Sequence, residues 1–233
     1  MRYTLFVILT LALTAFIGWS TYQTDRLLRV WRPDRNLLLV PAENALRIGL
    51  VLVCAGLGWL SRLPPATLGW VPADPAGDML AGVLAGIALS LAITAAANWA
   101  IARWGQAIYS PLVILNVLPR NRREGLLILL ALVPSIALEE LLFRSLLLGG
   151  LSPLLPTWLL VIPVSAVFGL FHLPQGRLGV AGTALAGIAF SLLFLWRGSL
   201  LAPLIAHYVA DVLQLAQAHR QRDELSAMEV GRV

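Results

Sequence analysis

The chain of 233 residues contains no lysine, one cysteine and three histidines, and only 12% of its residues are charged. A soluble domain carries roughly 25% charged residues, so this composition excludes an ordinary water-exposed globule. A lone Cys54 can form no intrachain disulfide, and its apolar surroundings point to small-residue packing. What fills the chain instead is apolar: 59% of residues are hydrophobic and the mean hydropathy is +0.82. All 17 basic residues are arginine and the pI is near 10.3, which on its own would suggest a nucleic-acid partner. The arginines, however, cluster between apolar runs, where a multi-span protein carries its topology signal. The partner read from them is the lipid bilayer, with no nucleic acid.

Apolar runs near the ~20 residues needed to cross a bilayer occur at about 3–20, 45–61, 79–101, 126–148, 157–173, 178–196 and 199–217. The reading is an all-α polytopic bundle of about seven transmembrane helices. The first run has one arginine before it and no clear small-x-small cleavage site, so it is kept as a span and not as a signal peptide. A shorter piece, "AIYSPLVILNVL" at 107–118, reads as interfacial or re-entrant. One side of the bundle collects twelve loop and tail arginines (26, 29, 32, 35, 103, 120, 122, 123, 177, 220, 222 and 232), the other side Arg2, Arg62 and Arg197. That bias predicts a cytoplasmic C-terminus and an external N-terminus. Arg47 and Arg144 fall inside spans. The small-residue pairs in "GVLAG" (Gly82, Gly86) and "GTALAG" predict close helix packing.

Ionisable groups at bilayer depth cost at least ~2.5–3.5 kcal/mol, so they are normally paired, inward-facing and functional. Three spans carry them: Glu139, Glu140 and Arg144 in the fourth, His172 in the fifth, His207 and Asp211 in the seventh. Glu140 and Arg144 stand i,i+4 with the acid first, the favourable order for an ion pair on one helix face. Glu139, rotated by about 100°, is left without a partner on its own helix. His207 and Asp211 are also i,i+4, which predicts a hydrogen bond fixing the imidazole tautomer. Phe168 shares a face with His172. A carboxylate with histidines suits general-base activation of water, and the same residue types can ligate zinc; the sequence leaves both open. Pro134, Pro163, Pro174 and Pro203 lie near these residues and point to bent helices around a cavity. At ~1.5 Å per residue, Glu139 comes out roughly 20 Å deep but His172 only about 8 Å from the cytoplasmic side, a mismatch of roughly 10 Å.

"EELLFR", "FGLFH" and "HYVAD" fit the patterns EExxxR, FxxxH and HxxxN/D, in order and on successive late spans. Residues 124 to 217 thereby resemble the CAAX prenyl protease and bacteriocin-processing family, also called Abi or glutamic-type intramembrane proteases. The resemblance implies an intramembrane endopeptidase acting on a membrane-anchored protein or peptide. It implies Glu139 as the base that activates water, His172 as its partner on that water, and Glu140 and Arg144 as the supporting ion pair. His207 and Asp211 would stabilise the oxyanion. Relatives with asparagine at the last position can donate a hydrogen bond there, whereas an ionised Asp211 only accepts. Asp211 is therefore expected to be protonated or to orient His207 from behind. The family has been described both as metal-dependent and as metal-free, and no metal is assigned.

The resulting division is 1–104 for N-terminal helices without an assigned role, 105–123 for an interfacial segment and loop, 124–217 for the catalytic core and 218–233 for a cytoplasmic tail. There is no HExxH, no GxGD pair and no glycine-flanked serine nucleophile. A transporter or proton relay, which would show inverted repeats, and a catalytically silent immunity or scaffold protein are the competing readings. The lysine-free, Arg/Ala/Leu-rich composition suggests a bacterial inner-membrane location and a peptide-anchored substrate.

Overall fold

A computed structural model describes residues 1–31, 35–105, 108–223 and 225–226. Arg32, Arg232, the first residue of the 107–118 segment and the last seven residues of the tail lie outside them. Among the described residues every regular element is helical. The α-helices are α1 (Arg2–Val30), α2 (Pro41–Ser61), α3 (Pro75–Trp104), α4 (Leu112–Val117), α5 (Arg122–Glu140), α6 (Thr157–Leu170), α7 (Gly176–Arg197) and α8 (Leu201–Arg220).

Five helical stretches are long and apolar enough to cross a membrane: Arg2–Leu28, Pro41–Ser61, Pro75–Trp104, Arg122–Gly149 and Leu173–Arg197. The remaining two of the seven runs also fold as helices. One of them, α6, has only 14 residues, and α8 carries His207 and Asp211. At 1.5 Å per residue α6 is roughly 20 Å long, against a hydrocarbon core of about 30 Å. The chain therefore turns at Phe171 and His172 well before a full crossing.

Packing separates outer helices from inner ones. In α1 only 11% of the most apolar window is buried, against 44% in Arg122–Gly149, so the inner stretch is the one that carries the charges. The main core joins Leu57 and Cys54 of α2 with Leu142, Leu146, Val164, Phe168 and Phe194. On the other flank α3 packs chiefly against α8. A Cβ added at Gly86 would lie 2.8 Å from Val209 Cβ, and one at Gly82 would lie 2.7 Å from Ile205 Cβ. The bare backbone at these two positions lets the helices touch.

The prolines divide by position. Pro134 and Pro163 sit inside α5 and α6. Pro203 is in the first turn of α8, where its missing N–H costs nothing, so it starts that helix and does not bend it. Pro174 opens a short 3₁₀ turn, Leu173–Gln175, directly after His172. The described part of the 107–118 segment forms α4, six residues long.

Candidate active site

The site begins where α5 ends. From Leu141 to Gly149 the winding widens to π-type, with the Gly150 N–H donating to Ser145 O at 2.8 Å. Such widened turns are rare and occur mostly at functional sites. Glu139 and Glu140 are the last two residues before the change.

Glu140 and Arg144 are both fully buried, and Arg144 Nη1 donates to Glu140 Oε1 at 3.0 Å. Arg144 Nη2 donates to Gly187 O at 3.2 Å. The guanidinium carbon lies 4.5 Å from the Phe168 ring centroid and 5.3 Å from that of Phe190, within cation–π range. A Cβ at Gly187 would stand 3.1 Å from both Phe168 and Ser165, so the absent side chain is what lets α6 and α7 close around the arginine.

His207 is where the geometry departs from the sequence reading. Its Nδ1–H donates to Glu140 Oε1 at 2.8 Å, while Asp211 Oδ2 is 3.7 Å from Nε2, too far for a hydrogen bond. The tautomer is set by Glu140, 67 residues away in sequence, and not by Asp211. Nε2 also faces Glu139 Oε2 at 3.8 Å. His207 Nε2 thus has two carboxyls near it and a hydrogen bond to neither. Phe190 stacks on the ring at 4.8 Å and 22°.

His172 enters from the turn after α6. Its Nδ1 is 2.9 Å from Phe168 O; a carbonyl only accepts, so Nδ1 carries the proton and Nε2 is the free nitrogen. The Phe168 ring lies 5.0 Å from that of His172 and 5.9 Å from that of His207. Phe168 is thus the wall between the two histidines as well as the floor under Arg144.

Glu139, His172, His207 and Asp211 all line one cavity of about 540 Å³. Glu139 Oε2 is buried without a hydrogen-bond partner. The walls come from every helix, including α1 (Ser20, Thr21, Thr24), α2 (Glu43, Arg47) and α3 (Leu89, Ile93). Tyr109, in the loop before α4, lines it too, and burial pushes its phenol up, which keeps the hydroxyl neutral. Among the described residues no three His, Cys, Asp or Glu side chains are grouped as around a metal ion.

Residues 122–213 match the family model described as Rce1-like: Type II CAAX prenyl endopeptidase Rce1-like. This segment is similar to the Rce1-like family. The match covers less than half of the chain and runs from the start of α5 into α8, so it takes in all seven residues of the three motifs. It agrees with the family that those motifs resemble. No curated protein and no solved structure matches the chain. The Rce1-like family is a protease family, and five long apolar helices make the chain a multi-pass membrane protein.

The sequence reading missed Phe190, and it had Gly187 only as the end of the packing stretch "GTALAG" and Arg47 only as a charge inside a span, with neither assigned to the site.

Proposed function

We propose that this protein is an intramembrane endopeptidase that hydrolyses a peptide bond in a membrane-anchored protein or peptide. The observation that carries the reading is Glu139, which lines one cavity with His172, His207 and Asp211 and keeps a carboxylate oxygen without a hydrogen-bond partner among the described residues. Glu139 takes a proton from water as the water oxygen bonds to the scissile carbonyl carbon. His172 Nε2 helps to hold that water. The carbonyl oxygen becomes an oxyanion, and His207, which carries a second proton on Nε2 beside Glu139 and Asp211 and has no hydrogen-bond partner there among the described residues, donates that Nε2–H to it. When the C–N bond breaks, Glu139 returns its proton to the departing amine.

Glu140 and Arg144 act one step back. The shared Glu140 oxygen keeps Nδ1–H of His207 engaged, so Nε2 points at the cavity. Asp211 lies on the Nε2 side. With a proton it donates to the same oxyanion; without one it accepts a substrate N–H.

The test compares membrane-protein termini in cells carrying wild type or Glu139→Gln, followed by cleavage of the identified substrate by purified protein in liposomes. New termini are expected only with wild type, and Glu139→Gln should lower the purified rate by at least about 10²-fold. Identical termini, or equal rates, would sink the proposal.

A further inference from the structure

We propose that Arg47 is a carboxylate-binding subsite of the cavity, selecting peptides that carry a carboxylate close to the cleaved bond. The proposal rests on the proteolytic reading. Arg47 lies on α2, outside the Rce1-like segment. Arg144, the other arginine within an apolar run, is paired with Glu140 and also donates to Gly187 O. Arg47 forms no ion pair among the described residues; its one hydrogen bond there runs from Nη1 to Asn44 Oδ1 at 3.4 Å. Glu43 and Glu139 bear on its charge without an ion-pair contact, so the guanidinium keeps open donors, and a charge in such a helix is expected to have a task.

Asn44 is itself fixed. Its Nδ2 donates to Leu38 O at 2.7 Å and to Val40 O at 3.2 Å, so its carbonyl oxygen is held toward Arg47. The guanidinium is oriented on one edge, and its remaining donors are the free ones. A planar guanidinium presents these as a fork matched to a carboxylate.

The charges around it sharpen the selection. Glu43, Glu139 and Asp211 line the same cavity, and Arg47 is the one guanidinium among its lining residues. Glu43 and Glu139 lie near enough to act on Arg47 itself, so an entering carboxylate competes with them for the guanidinium donors, which among the described lining residues only Arg47 offers. Either a peptide's terminal α-carboxylate or an Asp or Glu side chain supplies this chemistry.

The experiment measures binding to the full-length wild-type protein in nanodiscs. The probes are acetyl-Leu-Leu-Leu with a free carboxylate, its C-terminal amide, acetyl-Leu-Asp-Leu amide, and octyl phosphate. At least one carboxylate peptide should bind about ten-fold tighter than the uncharged amide, a gap that Arg47→Gln closes and Arg47→Lys keeps in part. Tighter binding of the free acid alone identifies the terminus as the source, and of the aspartyl peptide alone the side chain. Equal binding of acids and amide to wild type overturns the proposal. So does an Arg47-dependent preference for octyl phosphate over the peptides, which would make Arg47 a lipid-headgroup anchor. Should Arg47→Gln not fold, the acid-to-amide ratio in wild type and Arg47→Lys decides. Because binding is read without cleavage, failure here leaves the proteolytic reading intact, and failure of cleavage leaves this result intact.

Discussion

Replacing Arg144 with methionine keeps most of the side-chain volume while removing the charge, which isolates the electrostatic part of its role. In the native protein the guanidinium pairs with Glu140 at 3.0 Å, caps Gly187 O and lies over Phe168. With Arg144 gone, a fully buried carboxylate keeps only His207 as a partner. Stranding one member of a buried pair costs about 3–5 kcal/mol. Removing Glu140 as well should recover part of that, because no buried charge is then left alone. The double variant Glu140→Gln/Arg144→Met should therefore be less destabilised than the sum of the two single variants, by at least about 1 kcal/mol. The chain supplies its own reporter: Cys54 is the single cysteine and is fully buried in the core that Phe168 helps to build. Its reaction with a maleimide dye on heating or denaturation measures unfolding at that core. Arg144→Met labelling at the wild-type midpoint, or strictly additive losses in the double variant, would refute the claim that this pair holds the site together.

Other perturbations probe separate parts. His207→Ala should lower kcat by about 10²–10³-fold if its Nε2–H is an oxyanion donor, and Glu140→Gln should lower kcat more than it changes KM, since it loosens the ring and leaves the cavity wall in place; steady-state kinetics on the identified substrate separates these effects. Gly86→Leu should destabilise the α3–α8 contact by about 1–3 kcal/mol through overpacking, whereas Gly49→Ala, which meets nothing within 4 Å, should leave the Cys54 labelling midpoint unchanged. Asp74, at the start of α3, is held below the usual carboxylate range by the Gly77 N–H and then by Arg197. A carboxyl lowered on folding stabilises above its unfolded pKa of about 3.9 and loses that effect as pH falls through its folded value. The difference in thermal midpoint between wild type and Asp74→Asn, followed by circular dichroism, should therefore shrink as pH drops below about 4.

Local relations were legible in the sequence and distant ones were not. The Glu140 and Arg144 spacing sufficed because both ends of that contact lie one turn apart on the same stretch of chain. The same logic misdirected His207: i,i+4 spacing points to Asp211, but the hydrogen bond goes to Glu140, and nothing in the spacing of α8 encodes a partner on α5. Phe190 looks like any aromatic of an apolar helix, and "GTALAG" marks Gly187 for close packing without naming Arg144 as what is packed. His172 reads as part of a helix because apolarity continues through 173, while the helix stops at Leu170. Hydropathy counts residues and does not see where they turn. Gly82 and Gly86 were readable as packing residues, but not α8 as the helix that they receive.

The helices before residue 104, which carry no motif, still shape what the site can accept. A peptide bond is open to attack only when its strand is extended, and an extended strand in a membrane must find partners for its exposed N–H and C=O groups. The cavity offers them on one side, where Ser20, Thr21 and Thr24 of α1 join Glu43 and Arg47 of α2, and offers Leu89, Ile93 and Ala97 of α3 among its apolar lining. A wall of hydroxyls and charges gives an unwound backbone hydrogen bonds that lipid cannot, while the apolar stripe receives side chains that were in lipid before. For the proposed endopeptidase, this lining predicts that the Rce1-like segment supplies the reacting groups and that the first three helices select which chain can lie beside them.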